Sequence, residues 1–191
     1  MKRLIIATAV GALFSGTVLA QQGTVQRDVN QQNRIEQGLQ SGQLNTKEAS
    51  KLEGEEARIQ REQSRDLKNG NLSPAEKARL TREQNQASRD INRLENNKAT
   101  GNPNSASSQR MQADVQRNAN QQARIEQGLK SGSLTNREAG RAERGQARVD
   151  RKEARAGANG HVSAGDQRRI QTAENRQSAR IAREKQNAVT K

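Results

Sequence analysis

The sequence contains no cysteine, no tryptophan and no tyrosine, and its one phenylalanine, Phe14, lies in an apolar amino-terminal segment. Without cysteine there is no disulfide to staple a small core and no thiolate for metal binding or nucleophilic attack. Without rings beyond Phe14, the core is aliphatic and nothing is on offer to stack on a nucleobase, so sequence-specific nucleic-acid recognition is not expected. Histidine occurs once. His161 occupies the turn position that Asn71 takes in an equivalent turn, and reads as an exposed turn residue. One histidine and carboxylates scattered over helical stretches do not assemble a nucleophile–base pair or a zinc site. The sequence therefore predicts a protein that is not an enzyme, with no catalytic residue, no metal-ligand set and no cofactor.

Long hydrophobic runs are also missing, with one exception. Met1-Lys2-Arg3 precedes an apolar run from Leu4 to Leu19, and Val18-Leu19-Ala20 offers small residues for cleavage. That pattern predicts a signal peptide over residues 1–20, a mature chain starting at Gln21, and a periplasmic or secreted product with no transmembrane segment.

Aliphatic side chains are scarce as well. Leu, Ile, Val and Met make up about an eighth of residues 21–191, below the roughly 20% at which a charged chain is suspected of disorder. Each half of the chain has about a dozen such groups, worth about 1.5–3 kcal/mol apiece on burial, against about 1–2 kcal/mol of backbone entropy per ordered residue. Marginal stability, with partial disorder in a single chain, is the expectation; pairing of half-units in a homo-oligomer would supply further burial.

What is present is a duplication. VQRDVNQQNRIEQGLQSGQLNTKEA, from Val25, returns ninety positions later as VQRNANQQARIEQGLKSGSLTNREA, from Val115, with about two-thirds of the positions identical. Four turns share one grammar: SGQLNTKE, NGNLSPAE, SGSLTNRE and NGHVSAGD. Gly42, Gly70, Gly132 and Gly160 suit the left-handed residue that ends a helix. Two residues on comes an aliphatic staple (Leu44, Leu72, Leu134, Val162), then an N-cap (Asn45, Ser73, Thr135, Ser163), and three residues later Glu48, Glu76, Glu138 or Asp166. Pro74 stands at a first helical position, and the other proline, Pro103, lies between the repeats.

The stretches between turns are rich in Ala, Gln, Glu, Arg and Lys, so the fold class predicted is all-α, a tandem duplication of a three-helix unit. Helices are expected over 24–40, 46–68, 74–97, 110–130, 136–158 and 164–187. The corresponding division is a first repeat at 21–97, a linker at 98–109 and a second, basic repeat at 110–191. The second and third helices show a thin apolar stripe, Ala49, Leu52, Ile59 and Leu67, then Leu80, Ala87, Ile91 and Leu94, which Glu56 and Gln63 interrupt.

The turns resemble the second half of calcium-binding EF-hand loops, with Asn69-Gly70-Asn71-Leu72-Ser73 and Glu76 at the fifth to ninth and twelfth positions. The first and third positions, where oxygen ligands belong, are Arg65 and Leu67 here, and Gln37 and Leu39, Gln127 and Leu129, Arg155 and Gly157 in the other turns. These loops are not expected to bind calcium as that family does; a degenerate EF-hand-like metal binder is the corresponding alternative. The chain as a whole resembles uncharacterised secreted bacterial helical-repeat proteins with RIEQGLxSGxLTxREA repeats, a resemblance that carries no activity. Leu134-Thr135-Asn136-Arg137-Glu138 and Leu72-Ser73-Pro74-Ala75-Glu76 are similar to the LTxxQ motif of periplasmic stress chaperones, with Glu in place of Gln.

Charge separates the two halves. Residues 24–97 carry net +1 and residues 110–191 net +9, out of +13 for the chain. On the fifth helix Arg141, Arg144, Arg148, Arg151 and Arg155 recur at spacings of three and four, which lines them along one face; Arg169, Arg176, Arg180 and Arg183 extend a second basic face on the sixth. The first-half counterpart of the former is weaker: Lys51, Gly54, Arg58, Arg61 and Arg65. These faces suit an anionic partner such as envelope lipid phosphates, a polyanion or an acidic protein. The alternatives are a solvated face without a partner, a holdase-type chaperone, and a desiccation-type protectant acting through a largely unfolded chain.

Overall fold

A computed structural model describes residues 15–187, with side chains from Gly23 onward. The expected leader lies mostly outside the described residues. Six helices follow one another: α1 (Ser15–Ser41), α2 (Thr46–Asp66), α3 (Pro74–Glu95), α4 (Ala106–Lys130), α5 (Asn136–Ala156) and α6 (Ala164–Asn187), with a single 3-10 turn, Leu67–Asn69, after α2. No strand occurs among the described residues, and no helix there is long and apolar enough to cross a membrane.

The helix ends follow from local chemistry. Gly42, Gly70, Gly132 and Gly160 have φ of 76°, 90°, 71° and 84°, a region where a Cβ would meet the following carbonyl. Reciprocal capping boxes close the next helices: the Glu48 N–H donates to Asn45 Oδ1 at 3.0 Å while the Asn45 N–H donates to Glu48 Oε2 at 3.1 Å. The pairs Ser73/Glu76 and Thr135/Glu138 do the same, and Asp166 closes the fourth box with Ser163.

In α1 and α4 the RIEQGL glycines have a separate role. A Cβ on Gly38 would lie 2.6 Å from Leu44, and one on Gly128 would lie 2.5 Å from Leu134. These glycines let each staple leucine fold back over the helix it follows.

The two halves do not form separate three-helix units. Instead α1 packs along α4 and α2 along α5, while α3 covers α1 and α2, and α6 covers α4 and α5. The paired helices run antiparallel: Gly54 approaches Ala154, and Arg144 Nε donates to Ser64 Oγ at 3.2 Å. One apolar cluster joins Ile35, Leu39 and Leu52 to Met111, Val115 and Val162; the other joins Val25 to Ile125, Leu129 and Ile181. The physical reason is supply. A half with about a dozen aliphatic side chains gains burial when its inner face is covered by the inner face of the other.

The expected linker is correspondingly short and docked. Ala106 to Gln109 already belong to α4, and the Gly101 N–H donates to the Gly42 carbonyl at 2.8 Å.

The duplication recurs at the level of single hydrogen bonds. Gln31 Nε2 donates to the Gln84 carbonyl and to Ser88 Oγ, at 2.7 and 3.0 Å; ninety residues on, Gln121 Nε2 donates to the Glu174 carbonyl and to Ser178 Oγ, at 3.2 and 3.1 Å. Arg27 reaches Asn85 as Arg117 reaches Asn175, each at 2.8 Å.

Glu56 and Gln63 sit inside. They are 1% and 0% exposed, part of a polar seam that runs through the interior between the apolar clusters. Asp28, Glu53, Glu56, Asp114, Glu143, Asp150, Glu153 and Glu174 are all buried, and no Lys or Arg is among the buried residues described. Most of these acids meet amides: Gln32 donates to Glu53 and Gln122 to Glu143, each at 3.1 Å, and Gln63 and Gln84 donate to Asp28 at 2.8 and 2.6 Å. Burial pushes the carboxyls of Asp28, Glu53 and Asp114 up to about 7 and that of Glu174 to about 8. It drives Glu56, Glu143, Asp150 and Glu153 well above the usual carboxylate range.

Candidate polyanion-binding face

The apolar and polar interior takes one side of α5 and leaves its arginines outward, because a 3.6-residue period puts positions three and four apart on one face. Arg141, Arg144, Arg148 and Arg155 are exposed and Arg151 is half-buried. The helices on either side complete two shallow hollows.

Between α2 and α5, Arg61, Arg65 and Lys68 face Arg144, Arg148 and Arg151 around Ser64 and Ala147. Between α5 and α6, Arg148 and Lys152 face Arg169, Arg176 and Arg180 across Val149 and Ala173. Arg148 lines both. Arg155 joins Lys152 and Arg169 in a third hollow at the end of α5.

Not all of the nine sequence candidates have free charge. Arg141 is committed to a bidentate pair with Glu184, Nε to Oε1 at 2.9 Å and Nη2 to Oε2 at 2.7 Å. Arg169 pairs with Asp166 at 3.2 Å. Arg183 is exposed on α6 but lines neither of the first two hollows.

The centre of the face is Arg151. Burial first, then the neighbouring guanidinium groups of Arg61, Arg155 and Arg148, hold it below the usual arginine range. Its buried Nε has no hydrogen-bond partner. Three cations thus converge on Arg151, where their charge opposes its own.

Sequence reading underweighted the contribution of α2. Arg61 and Arg65 were visible as the weaker counterpart of the α5 stripe, and Lys68 extends it by another turn. Only the antiparallel docking of α2 on α5 brings them within reach of Arg144, Arg148 and Arg151.

The turns give no sign of a calcium loop. Leu39, Leu67 and Leu129, at the third loop position, are core residues, and Glu48, Glu76 and Glu138 accept from their own N-cap N–H groups. His161 is exposed, and its N–H donates to Asn159 Oδ1 at 2.9 Å.

Comparison with protein families, with curated proteins and with solved structures finds no match for this chain.

Proposed function

We propose that this protein is a non-enzymatic, secreted or periplasmic binding protein whose α2–α5–α6 face holds an anionic partner, with envelope lipid phosphates and soluble polyanions as the chemical class. The observation that supports this reading is the convergence of Arg61, Arg148, Arg151 and Arg155 without an acidic side chain among the causes that shift Arg151. An incoming phosphate or sulfate would relieve that repulsion and accept from the outward guanidinium N–H groups. Burial of eleven of the 21 acidic side chains adds to the effect, because it takes carboxyls away from the surface that the arginines share.

The holdase reading has less support. Leu134 of the LTxxQ-like string is a buried staple, and Thr135 and Glu138 complete a capping box, so local helix chemistry accounts for that string.

The test is binding of heparin oligosaccharide and of anionic phospholipid vesicles, by calorimetry or flotation, at low and physiological salt. Affinity for at least one probe is expected to fall about tenfold or more across that range if three or more ion contacts form. The double variant Arg148→Glu, Arg151→Glu is expected to weaken binding further than Arg89→Glu on α3. Salt-independent affinity, or equal losses in the two variants, would overturn the reading.

A further inference from the structure

We propose that Glu53 on α2 and Asp150 and Glu153 on α5 form an interior site for one divalent cation of the oxygen-seeking class, Ca2+ or Mn2+. One ligand oxygen from each of the three lies within 4.8 Å of the other two, and all three side chains are fully buried. Oxygens on opposite sides of a calcium ion stand about 4.6–5.2 Å apart, so three oxygens within 4.8 Å of one another are near enough to share one such ion.

The orientation of the carboxylates supports the assignment. Each has one oxygen tied by an amide and one left over. Glu53 Oε2 accepts from Gln32 and Asn118, Glu153 Oε2 accepts from Asn118 at 2.6 Å, and Asp150 Oδ1 accepts from Gln146 at 2.9 Å. Glu53 Oε1, Glu153 Oε1 and Asp150 Oδ2 are buried with no amide donor, and the Glu53 and Glu153 carboxyls are close enough to hydrogen-bond each other when one is protonated. Amides that fix one oxygen and leave the other to ligate are the usual outer support of a metal carboxylate.

Two further side chains extend the set. Gln60 is 0% exposed, its amide lies against Asp150, and its Oε1 has no hydrogen-bond donor. Glu56 is 1% exposed, its Oε2 has no partner, and Glu53 and Asp150 are among the charges that act on it. A carbonyl oxygen from Gln60 and a carboxylate from Glu56 would extend the three-acid set toward the six to eight oxygens that calcium takes. With oxygen donors and neither Cys nor His at hand, the chemistry favours a hard cation over zinc or copper.

The internal duplication supplies a built-in comparison. Ninety positions away, Glu143 replaces Glu53, but Gln60 and Gln63 stand where the site has Asp150 and Glu153, and Asp28 stands where it has Asn118. There Asp28 takes hydrogen bonds from both Gln63 and Gln84 and needs no cation. The two equivalent places thus differ in charge: one sets amides at the two positions where the other sets acids, so that only the second gathers three carboxyls.

The test is titration of the full chain with Mn2+ at pH 8, followed by electron paramagnetic resonance, and thermal unfolding with Ca2+ or with chelator. The expected result is one Mn2+ bound per chain and displaced by Ca2+, with the midpoint raised about 5–10 °C at a hundredfold excess over Kd. At pH 4.5, with the acids protonated, the response is expected to vanish. Asp150→Asn and Glu153→Gln should each remain helical and lose the response, since each also removes a buried charge, whereas Glu174→Gln, outside the cluster, should keep it. Absence of saturable binding at pH 8, or binding retained in both cluster variants, would overturn the proposal and leave protons alone as the partners of these acids.

Discussion

Glu53 and Glu153 share one hydrogen-bond donor, the side-chain amide of Asn118, which lies 3.3 Å from the first and 2.6 Å from the second. The two glutamates come from different halves of the duplicated chain. Their junction shows that the halves meet through polar groups as well as aliphatic ones, with the acids turned inward and the arginines outward.

That arrangement sets the dependence of stability on pH. A carboxyl whose folded pKa is raised holds its proton more tightly in the folded state, so its stabilising effect is complete below about pH 4 and is lost as pH rises through the folded value. For Asp28 and Glu53 the loss runs from about pH 4 to about 7, and for Glu174 from about pH 4 to about 8. In chelator, the urea midpoint followed by circular dichroism is expected to be lower at pH 8.5 than at pH 5. A midpoint that climbs over this interval would contradict the buried-acid interior.

Glu56→Gln removes one buried carboxylate whose Oε2 accepts no hydrogen bond. In chelator at pH 8 this variant is expected to be more stable than the parent by about 1–3 kcal/mol, the usual size of an uncompensated buried polar group. At pH 4.5, where the parent carboxyl is protonated, the difference should shrink to within about 0.5 kcal/mol. Paired urea melts at the two pH values measure both.

Because Ile35 and Leu39 pack against Met111 and Val115, neither half has a closed core. A fragment of residues 21–97 is expected to show weak helicity and no cooperative melt at low concentration. Leu39→Ala in the full chain should cost about 2–5 kcal/mol. A fragment that melts cooperatively as a monomer in analytical ultracentrifugation would show that one half suffices.

Gly42 and Gly132 share the same backbone conformation but not the same surroundings. A Cβ on Gly42 would lie 3.0 Å from the Gly101 carbonyl oxygen, while one on Gly132 would meet nothing within 4 Å. Both alanine variants carry the left-handed penalty of about 1–2 kcal/mol. Gly42→Ala is expected to cost more, because the docked connection must shift as well, and comparison of the two denaturation midpoints checks it.

Much of this fold was legible in the sequence because helix ends are local. A left-handed glycine, a staple and a capping pair act within eight residues, and the helix ends fall within a few residues of the expected positions, except that α1 begins at Ser15 rather than near 24. The stripe from Ala49 to Leu67 was legible for the same reason: 3.6 residues per turn is a property of the backbone. The arginine faces on α5 and α6 followed from that periodicity too.

Which helix meets which was decided only by tertiary structure. Nothing local distinguishes α2 packed within its own half from α2 packed on α5, since both bury the same stripe; the antiparallel pairing wins because each inner face then covers the other. The same step determined the fate of Glu56 and Gln63. By their chemistry they belong at a surface, yet they share the inward face with Leu52 and Ile59, and α5 covers that face. The sequence by itself determined the helices, their ends and the outward arginines. The tertiary pairing decided that Arg61 stands beside Arg151, that Glu53 stands beside Glu153, and that about half of the acids of a basic protein are buried.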